Sequence, residues 1–585
     1  DGADNAEDDP LQPAGILHAR HIPVHVIGMG SDKREKDIRI SRVFTNGKAV
    51  EGALFELQIT VGHQGYADLE TELLIENGKR VVAAKKIVLG PDVQPQQFSI
   101  HLKPEMESPR IYTARIADQP DEMNKENNRL PFLVEKSLKR EDILYIEGHP
   151  RNEYKFIRRA VENDRTIGLK TYLMTGPQKY LRQNIESPLE LADGYPDSEA
   201  ALFAFDAVII GDVSPDFFTA DQLALTRAFV SRRGGGFLML GGTTAFDAGF
   251  MGTPIADLLP VTLVRDSDLP PALRSKTKAG DHPTRRLFAP RLTEEGWRSM
   301  ILRLDIADEA NRQRWREMPM LQGINVTGRA KPGATVLAVH PTLKNRGQAL
   351  PVLAYERYGR GRTMAVMTAT TWRWQMLQPH EDTSHERFWR QLLRWLTADT
   401  PAPVELFVKP GLISTGDPVT VRARIVDEAY RPVSQTTAWL KIIAPDAAVT
   451  DLQMSADIAR PGEFTAEVTV TQPGVYQLEV SPPDSAHAAT PATRPATRRF
   501  LVTDAALEMR NAALNRPLLA KIATAGGGRY YDRGTAEKLI KHLKAHRTTD
   551  TVAVQKDIWD IPLVFFLLIA ALTVEWLLRR RRGLS

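Results

Sequence analysis

From Ile561 to Val574 the chain runs through fourteen residues without a charge, and the apolar character resumes at Trp576, Leu577 and Leu578. Arg579, Arg580, Arg581 and Arg582 follow at once. In lipid every backbone N–H and C=O must find its partner within the segment, so such a run is expected to be a spanning helix. Residues 557–578 are therefore read as a transmembrane helix and residues 579–585 as its basic tail. Trp559 and Trp576 lie near the two ends, where indoles favour the interface. Asp560 and Glu575 also lie there, where a charge costs less than at the centre. The positive-inside rule assigns the arginines to the cytoplasm and the preceding body to the other face. In a Gram-negative cell this means an inner-membrane protein with one C-terminal span and a periplasmic body. A buried C-terminal helix is the competing reading, and four successive arginines speak against it.

A body of this length is expected to hold three or four domains. With 42% hydrophobic and 25% charged residues it has ordinary globular composition, and a net charge of +4 gives no reason to expect nucleic acid as a partner. There is no cysteine, which excludes disulfides, thiolate metal sites and any thiol nucleophile. Residues 37–138 read as an Ig-like β-sandwich. Leu54-Phe55-Glu56-Leu57-Gln58-Ile59-Thr60-Val61 alternates apolar and polar side chains, and Asn77-Gly78 is a hairpin turn dipeptide. Residues 401–503 read as a second Ig-like sandwich on the same grounds, with Val419-Thr420-Val421-Arg422-Ala423-Arg424-Ile425 as its clearest strand. Its residues 485–498, rich in Ala, Thr and Pro, are expected to be a mobile loop.

Between the sandwiches, residues 139–400 alternate strands and helices, the mark of a doubly wound α/β domain. Its clearest unit lies within residues 205–250. An apolar run ends at Gly211-Asp212, an amphipathic segment covers residues 219–233, and a second apolar run ends at Gly241-Gly242-Thr243-Thr244. Strand, helix and strand in this order make the βαβ unit of a parallel sheet. Ligands of such sheets sit beyond the carboxyl ends of the strands. Glu147, His149 and Arg151 follow the first strand, Asp212 another, and Thr243, Thr244 and Asp247 the Gly-Gly turn. Trp372 follows a late strand, with His380 and His385 downstream. These residues make up the candidate pocket.

Each has a plainer alternative. His149 before Pro150 could hold a loop, Asp212 could cap a turn, and Trp372, Trp374, Trp389 and Trp395 could be core. The Gly-Gly turn could exist to let a helix approach the sheet, although its N–H groups could also form an anion hole. Thr243 with His385 is the one nucleophile and base pair that can be built. His380 and His385 are five apart, unlike a helical zinc pair, and the glycines at 234–236 precede a strand and so cradle no phosphate. No cofactor and no metal are expected.

Several motifs point the same way. They are Glu147-Gly148-x-Pro150-Arg151-x-Glu153-Tyr154-x-Phe156-Ile157-Arg158-Arg159, the Gly-Gly strand end, Thr371-Trp372-Arg373-Trp374, and Phe388-Trp389-Arg390-x-Leu392-Leu393-Arg394-Trp395-Leu396. With Glu575-Trp576-Leu577-Leu578-Arg579-Arg580-Arg581-Arg582-Gly583-Leu584 they resemble bacterial membrane proteins that carry a glutamine amidotransferase-like domain, and the resemblance spans nearly the whole chain. It implies a flavodoxin-like core similar to class I amidotransferases but generally without their catalytic triad. Here Gly-Gly-Thr-Thr stands where that fold carries its nucleophilic cysteine. The resemblance also implies work beside MoxR-type ATPases and other membrane von Willebrand A proteins in the cell envelope.

His21-Ile22-Pro23-Val24-His25-Val26-Ile27-Gly28-Met29-Gly30 resembles a late strand of a von Willebrand factor A domain, and residues 1–36 are assigned to one. Asp1 would match a metal-site aspartate of that family, whose other ligands lie on a loop this chain lacks. The chain is expected to be a piece of a longer protein whose earlier part holds the rest of that domain and further membrane helices. Residues 504–552, with Gly526-Gly527-Gly528-Arg529-Tyr530-Tyr531, resemble the end of such a domain and are expected to cap the second sandwich near the membrane. The leading expectation is a non-enzymatic, membrane-anchored scaffold or binding component; the alternative is a hydrolase of an amide or glycan that uses the strand-end residues.

Overall fold

The computed structural model describes residues 9–583 apart from residues 30–35, 46–48, 50–54, 92–93, 104–108, 123, 136–139, 177–178, 275–282, 410–412, 436, 482–494, 505–513 and 546–561. Asp1, residues 557–561 of the expected spanning helix and most of the loop 485–498 lie outside the described residues. The protein combines α/β and all-β parts with one apolar C-terminal helix, and it divides into two compact units.

The larger unit, residues 34–511, contains three hydrophobic cores. The first lies between a three-stranded and a four-stranded antiparallel sheet within residues 37–134. Leu57, Ile59 and Val61 point inward while their neighbours Gln58 and Thr60 are half-buried, the alternation of a strand with one dry face. The third core lies within residues 404–502, inside an eight-stranded sheet built the same way.

The second core surrounds the sheet that carries the candidate site. Five of its strands are parallel: β1 (Glu141–Glu147), β2 (Ile167–Gly176), β3 (Ala207–Ile210), β4 (Gly236–Leu240) and β5 (Gly361–Val366). They lie in the order β2-β1-β3-β4-β5. Antiparallel strands extend both edges, Lys179–Gln183 beside β2 and Gln348–Tyr358 beside β5. Parallel strands are covered on both faces, so they read as continuous apolar runs, and Ala207–Ile210 and Gly236–Leu240 are buried throughout.

Helices cover the sheet. α1 (Asn152–Val161) packs against α3 (Ser384–Thr397), while α2 (Ala220–Ala228) joins β3 to β4. Thr219 and Gln222 form a reciprocal capping box at the start of α2, which satisfies two N–H groups there. A π-helical turn, Phe229–Arg233, extends α2, and Gly234 ends it at φ +86°, a conformation that glycine adopts without strain.

The smaller unit joins residues 1–33 to residues 512–585. The strand Val24–Gly28 pairs in parallel with Gly527–Asp532, and the helices Leu11–Ala19 and Arg516–Ala525 pack beside them. The strand within residues 504–552 thus pairs with the segment some 500 residues upstream. The unit also contains the helix Pro562–Arg581, which is 20 residues long, has no buried residue, and is long and apolar enough to cross a membrane.

Candidate functional site

The carboxyl ends of β1, β3 and β4 meet around two buried carboxylates. Glu147 ends β1 and is fully buried. It accepts hydrogen bonds from the Tyr145 hydroxyl at 2.7 Å, Arg151 Nε at 2.9 Å, Asp212 N at 2.9 Å and Gly148 N at 3.2 Å. Arg151, just before α1, also donates to the Gly241 carbonyl at 2.5 Å. The Glu147–Arg151 pair thus pins the start of α1 to the ends of three strands, and both charges of the buried pair are hydrogen-bonded, as burial requires.

Asp212 is the hub of the Gly-Gly turn. Its side chain is 2% exposed. One oxygen accepts from the backbone N–H and the hydroxyl of Thr243, at 2.7 and 2.8 Å. The other accepts from the N–H and hydroxyl of Thr244, at 2.6 and 2.7 Å, and from Ala245 N at 3.2 Å. Burial alone would raise the pKa of this carboxyl, but these donors outweigh it and hold it down to about 2. A Cβ at Gly242 would lie 2.2 Å from Asp212 Cγ, so only glycine fits under the carboxylate. Asn325 closes the turn from the other side. It accepts from Gly242 N at 3.1 Å and donates to the carbonyls of Gly242 and Ala245.

The structure brings Glu147, Arg151, Asp212, Thr243 and Thr244 into one network. His149 lies at its edge, half-exposed, with Nε2 3.8 Å from Asp212, beyond hydrogen-bonding range. Asp247 is exposed and caps the short turn Ala248–Phe250 through Gly249 N. Trp372 joins a third carboxylate, Glu153 on α1. Glu153 accepts from Trp372 N at 3.1 Å and from the Thr371 hydroxyl at 2.5 Å, and Trp389 Nε1 donates to that hydroxyl at 2.9 Å. Burial raises the Glu153 pKa to about 7 against these bonds.

His385 does not join the site. It lies buried on α3 with its ring edge-on to Phe156, its Nε2 has no hydrogen-bond partner, and burial lowers its pKa to about 3. The Thr243 hydroxyl donates to a carboxylate rather than an imidazole, so the Thr243–His385 pairing is replaced by Thr243–Asp212. The anion hole that the turn's N–H groups could have formed is also filled: those of Thr243, Thr244 and Ala245 all point at Asp212. Among the described residues, no group of three or more His, Asp or Glu side chains is arranged to hold a metal ion.

Sequence reasoning left Asn325 and Glu153 out of the candidate pocket. Asn325 lies in the irregular stretch before the last strands and carries no local signal. Glu153 did carry one, as a carboxylate on the apolar face of α1 beside Tyr154, Phe156 and Ile157.

No family model matches the chain, and no curated protein matches it. Among solved structures, a CARDB domain from Pyrococcus furiosus is 18% identical over 19% of this chain and all of its own, with a TM-score of 0.17. A GH42 β-galactosidase is 10% identical over 46% of this chain and 32% of its own, with a TM-score of 0.21. A Salmonella α2-macroglobulin is 9% identical over 80% of this chain and 19% of its own, with a TM-score of 0.15. None of these three is a glutamine amidotransferase, and likenesses at these scores assign neither fold nor activity.

Proposed function

We propose that this chain is a membrane-anchored component of the bacterial envelope whose amidotransferase-like α/β domain binds or scaffolds rather than catalyses. The observation that carries the proposal is the occupancy of the Gly-Gly turn by Asp212. In an acyl-transfer enzyme the N–H groups after the strand must be free to receive a developing oxyanion. Here an internal carboxylate takes three of them, and residues 241–244 have no left-handed φ of the kind a strained nucleophile turn shows. The absence of cysteine supports the same reading.

The strand order β2-β1-β3-β4-β5 supports the flavodoxin-like class, whose order is 2-1-3-4-5. The parallel pair Val24–Gly28 and Gly527–Asp532, flanked by helices, supports a von Willebrand A-like origin for the smaller unit. Arg579 to Arg582 after the apolar helix support a cytoplasmic tail and a periplasmic body. Other membrane von Willebrand A proteins and a MoxR-type ATPase system are the partners this reading favours.

The test pairs activity with stability. With the full chain in detergent, glutamine and model amide or glycan substrates should show no turnover, and Asp212→Asn should lower the melting temperature. A turnover that His149→Ala or Asp212→Ala abolishes at unchanged melting temperature would establish the hydrolase instead.

A further inference from the structure

At the other end of the parallel sheet, where β1, β3 and β5 begin, a cleft of about 1930 Å³ opens among the three cores of the larger unit. Asp142, Asp206 and Arg362 form its floor, Glu56 of the first sandwich lies on one wall, and the whole strand Val404–Val408 of the second sandwich forms another. This is roughly twice the upper end of the range for small-molecule pockets, so its size fits a polymer better than a metabolite.

Among the described residues, the strand Val404–Val408 pairs with Pro418–Ile425 alone and ends its sheet. Because the Pro403 carbonyl accepts from Val426 N, residues 405 and 407 exchange the hydrogen bonds of this antiparallel pair. The N–H and C=O groups of Leu406 and Val408 therefore point to the open edge. An edge of this kind is a template for another extended chain.

Side chains add a second selection. Phe407 is 45% exposed and Leu189 84% exposed, and both line the cleft. Twelve acidic side chains line it against eight basic ones, although the whole chain carries +4. Most of the basic ones are engaged, as Arg362 is with Asp399, Arg233 with Asp206 and Lys170 with Glu190. Asp193, Asp197 and Glu428 are exposed at the cleft and form no ion pair among the described residues.

We propose that this cleft docks an extended, Lys- or Arg-rich segment of a partner protein. The segment would add as a strand to the open edge of Val404–Val408, seat an apolar side chain against Phe407, and set its cations against Asp193, Asp197 and Glu428. The inference does not depend on the chemistry of the Asp212 end, which lies across the sheet.

The experiment is fluorescence anisotropy with the detergent-solubilised full chain and two fluorescein-labelled octapeptides, one alternating Lys and Val and the other alternating Glu and Val. The Lys-Val peptide should bind at least about tenfold more tightly than the Glu-Val peptide, and more weakly as salt rises. The exposed charge reversals Asp193→Lys, Asp197→Lys and Glu428→Lys, made together, should remove that preference at unchanged melting temperature. Leu406→Pro removes one outward N–H and leaves the inner ladder, so it should weaken binding of the Lys-Val peptide. If that variant loses stability, Phe407→Ser at the surface serves in its place, with the same loss expected. Equal binding of both peptides, or a preference that survives the charge reversals, would overturn the proposal.

Discussion

Asp212 and Glu153 are both buried carboxylates, yet their surroundings move them in opposite directions. Asp212 accepts five hydrogen bonds and sits near pKa 2, below its unfolded value near 3.8. Its contribution to stability is therefore complete above about pH 4 and is lost as pH falls through about 2, and it amounts to about 2 kcal/mol. Urea melts of Asp212→Asn at pH 7 should show a loss of that order, with a smaller difference from the parent at pH 2. Glu153 has fewer donors, and burial raises it to about 7 from 4.5. The folded state holds its proton more tightly, so this stabilisation is complete below about pH 4.5 and is lost as pH rises through about 7, a change of about 3 kcal/mol. Glu153→Gln should flatten the stability profile between pH 4.5 and 7.5. A profile that keeps its slope would show that another group titrates there. The acidic side chains were visible in the sequence, but their opposite behaviour was not, because the donors come from Thr243 to Ala245 and from Thr371 and Trp372.

Among the elements, the π-helical turn after α2 has a specific consequence. The wider turn ends with Arg233 buried at 2% exposure, where it donates to the carbonyls of Phe203 and Pro401, pairs with Asp206 at 3.3 Å and lies 4.4 Å from the centre of the Tyr430 ring. Tyr430 belongs to the second sandwich, and its hydroxyl also donates to the Pro401 carbonyl. One guanidinium thus fastens the α/β sheet to the start of that sandwich. Arg233→Ala removes the cation beside a buried carboxylate, for which a cost of about 3–5 kcal/mol is typical. Arg233→Lys should recover little, since an ammonium cannot span three acceptors in a plane. Thermal melts of the two variants check both statements, and a lysine variant as stable as the parent would refute the second. The helix over residues 219–233 was legible from its amphipathic pattern, but its final π-turn was not, since that depends on seating Arg233 against Pro401 and Tyr430.

For the whole molecule, the apolar helix and its arginines give the clearest prediction. The chain has no native thiol, so any introduced cysteine is a unique label. Ser267→Cys lies on the exposed surface of the body and should react with an impermeant maleimide from the periplasmic side. Ser585→Cys should react only after the membrane is permeabilised. The reverse pattern would invert the orientation. Within the helix, Glu575 pairs with Arg579 at 2.9 Å and Arg580 lies 5.1 Å from the Trp576 ring, so the charge nearest the apolar segment has a partner one turn away.

Local pattern by itself determined the apolar C-terminal helix, the two all-β regions, the βαβ succession within residues 205–250 and the exclusion of thiol chemistry. Each follows from side-chain period or composition, which neighbours along the chain suffice to fix. Tertiary structure decided the rest. It filled the Gly-Gly turn with Asp212, moved His385 into the core, brought in Asn325 and joined Val24–Gly28 to Gly527–Asp532. These outcomes depend on which distant groups satisfy a buried N–H or carboxylate. That is settled only when packing closes the loops between them, and it leaves no periodic trace in the sequence.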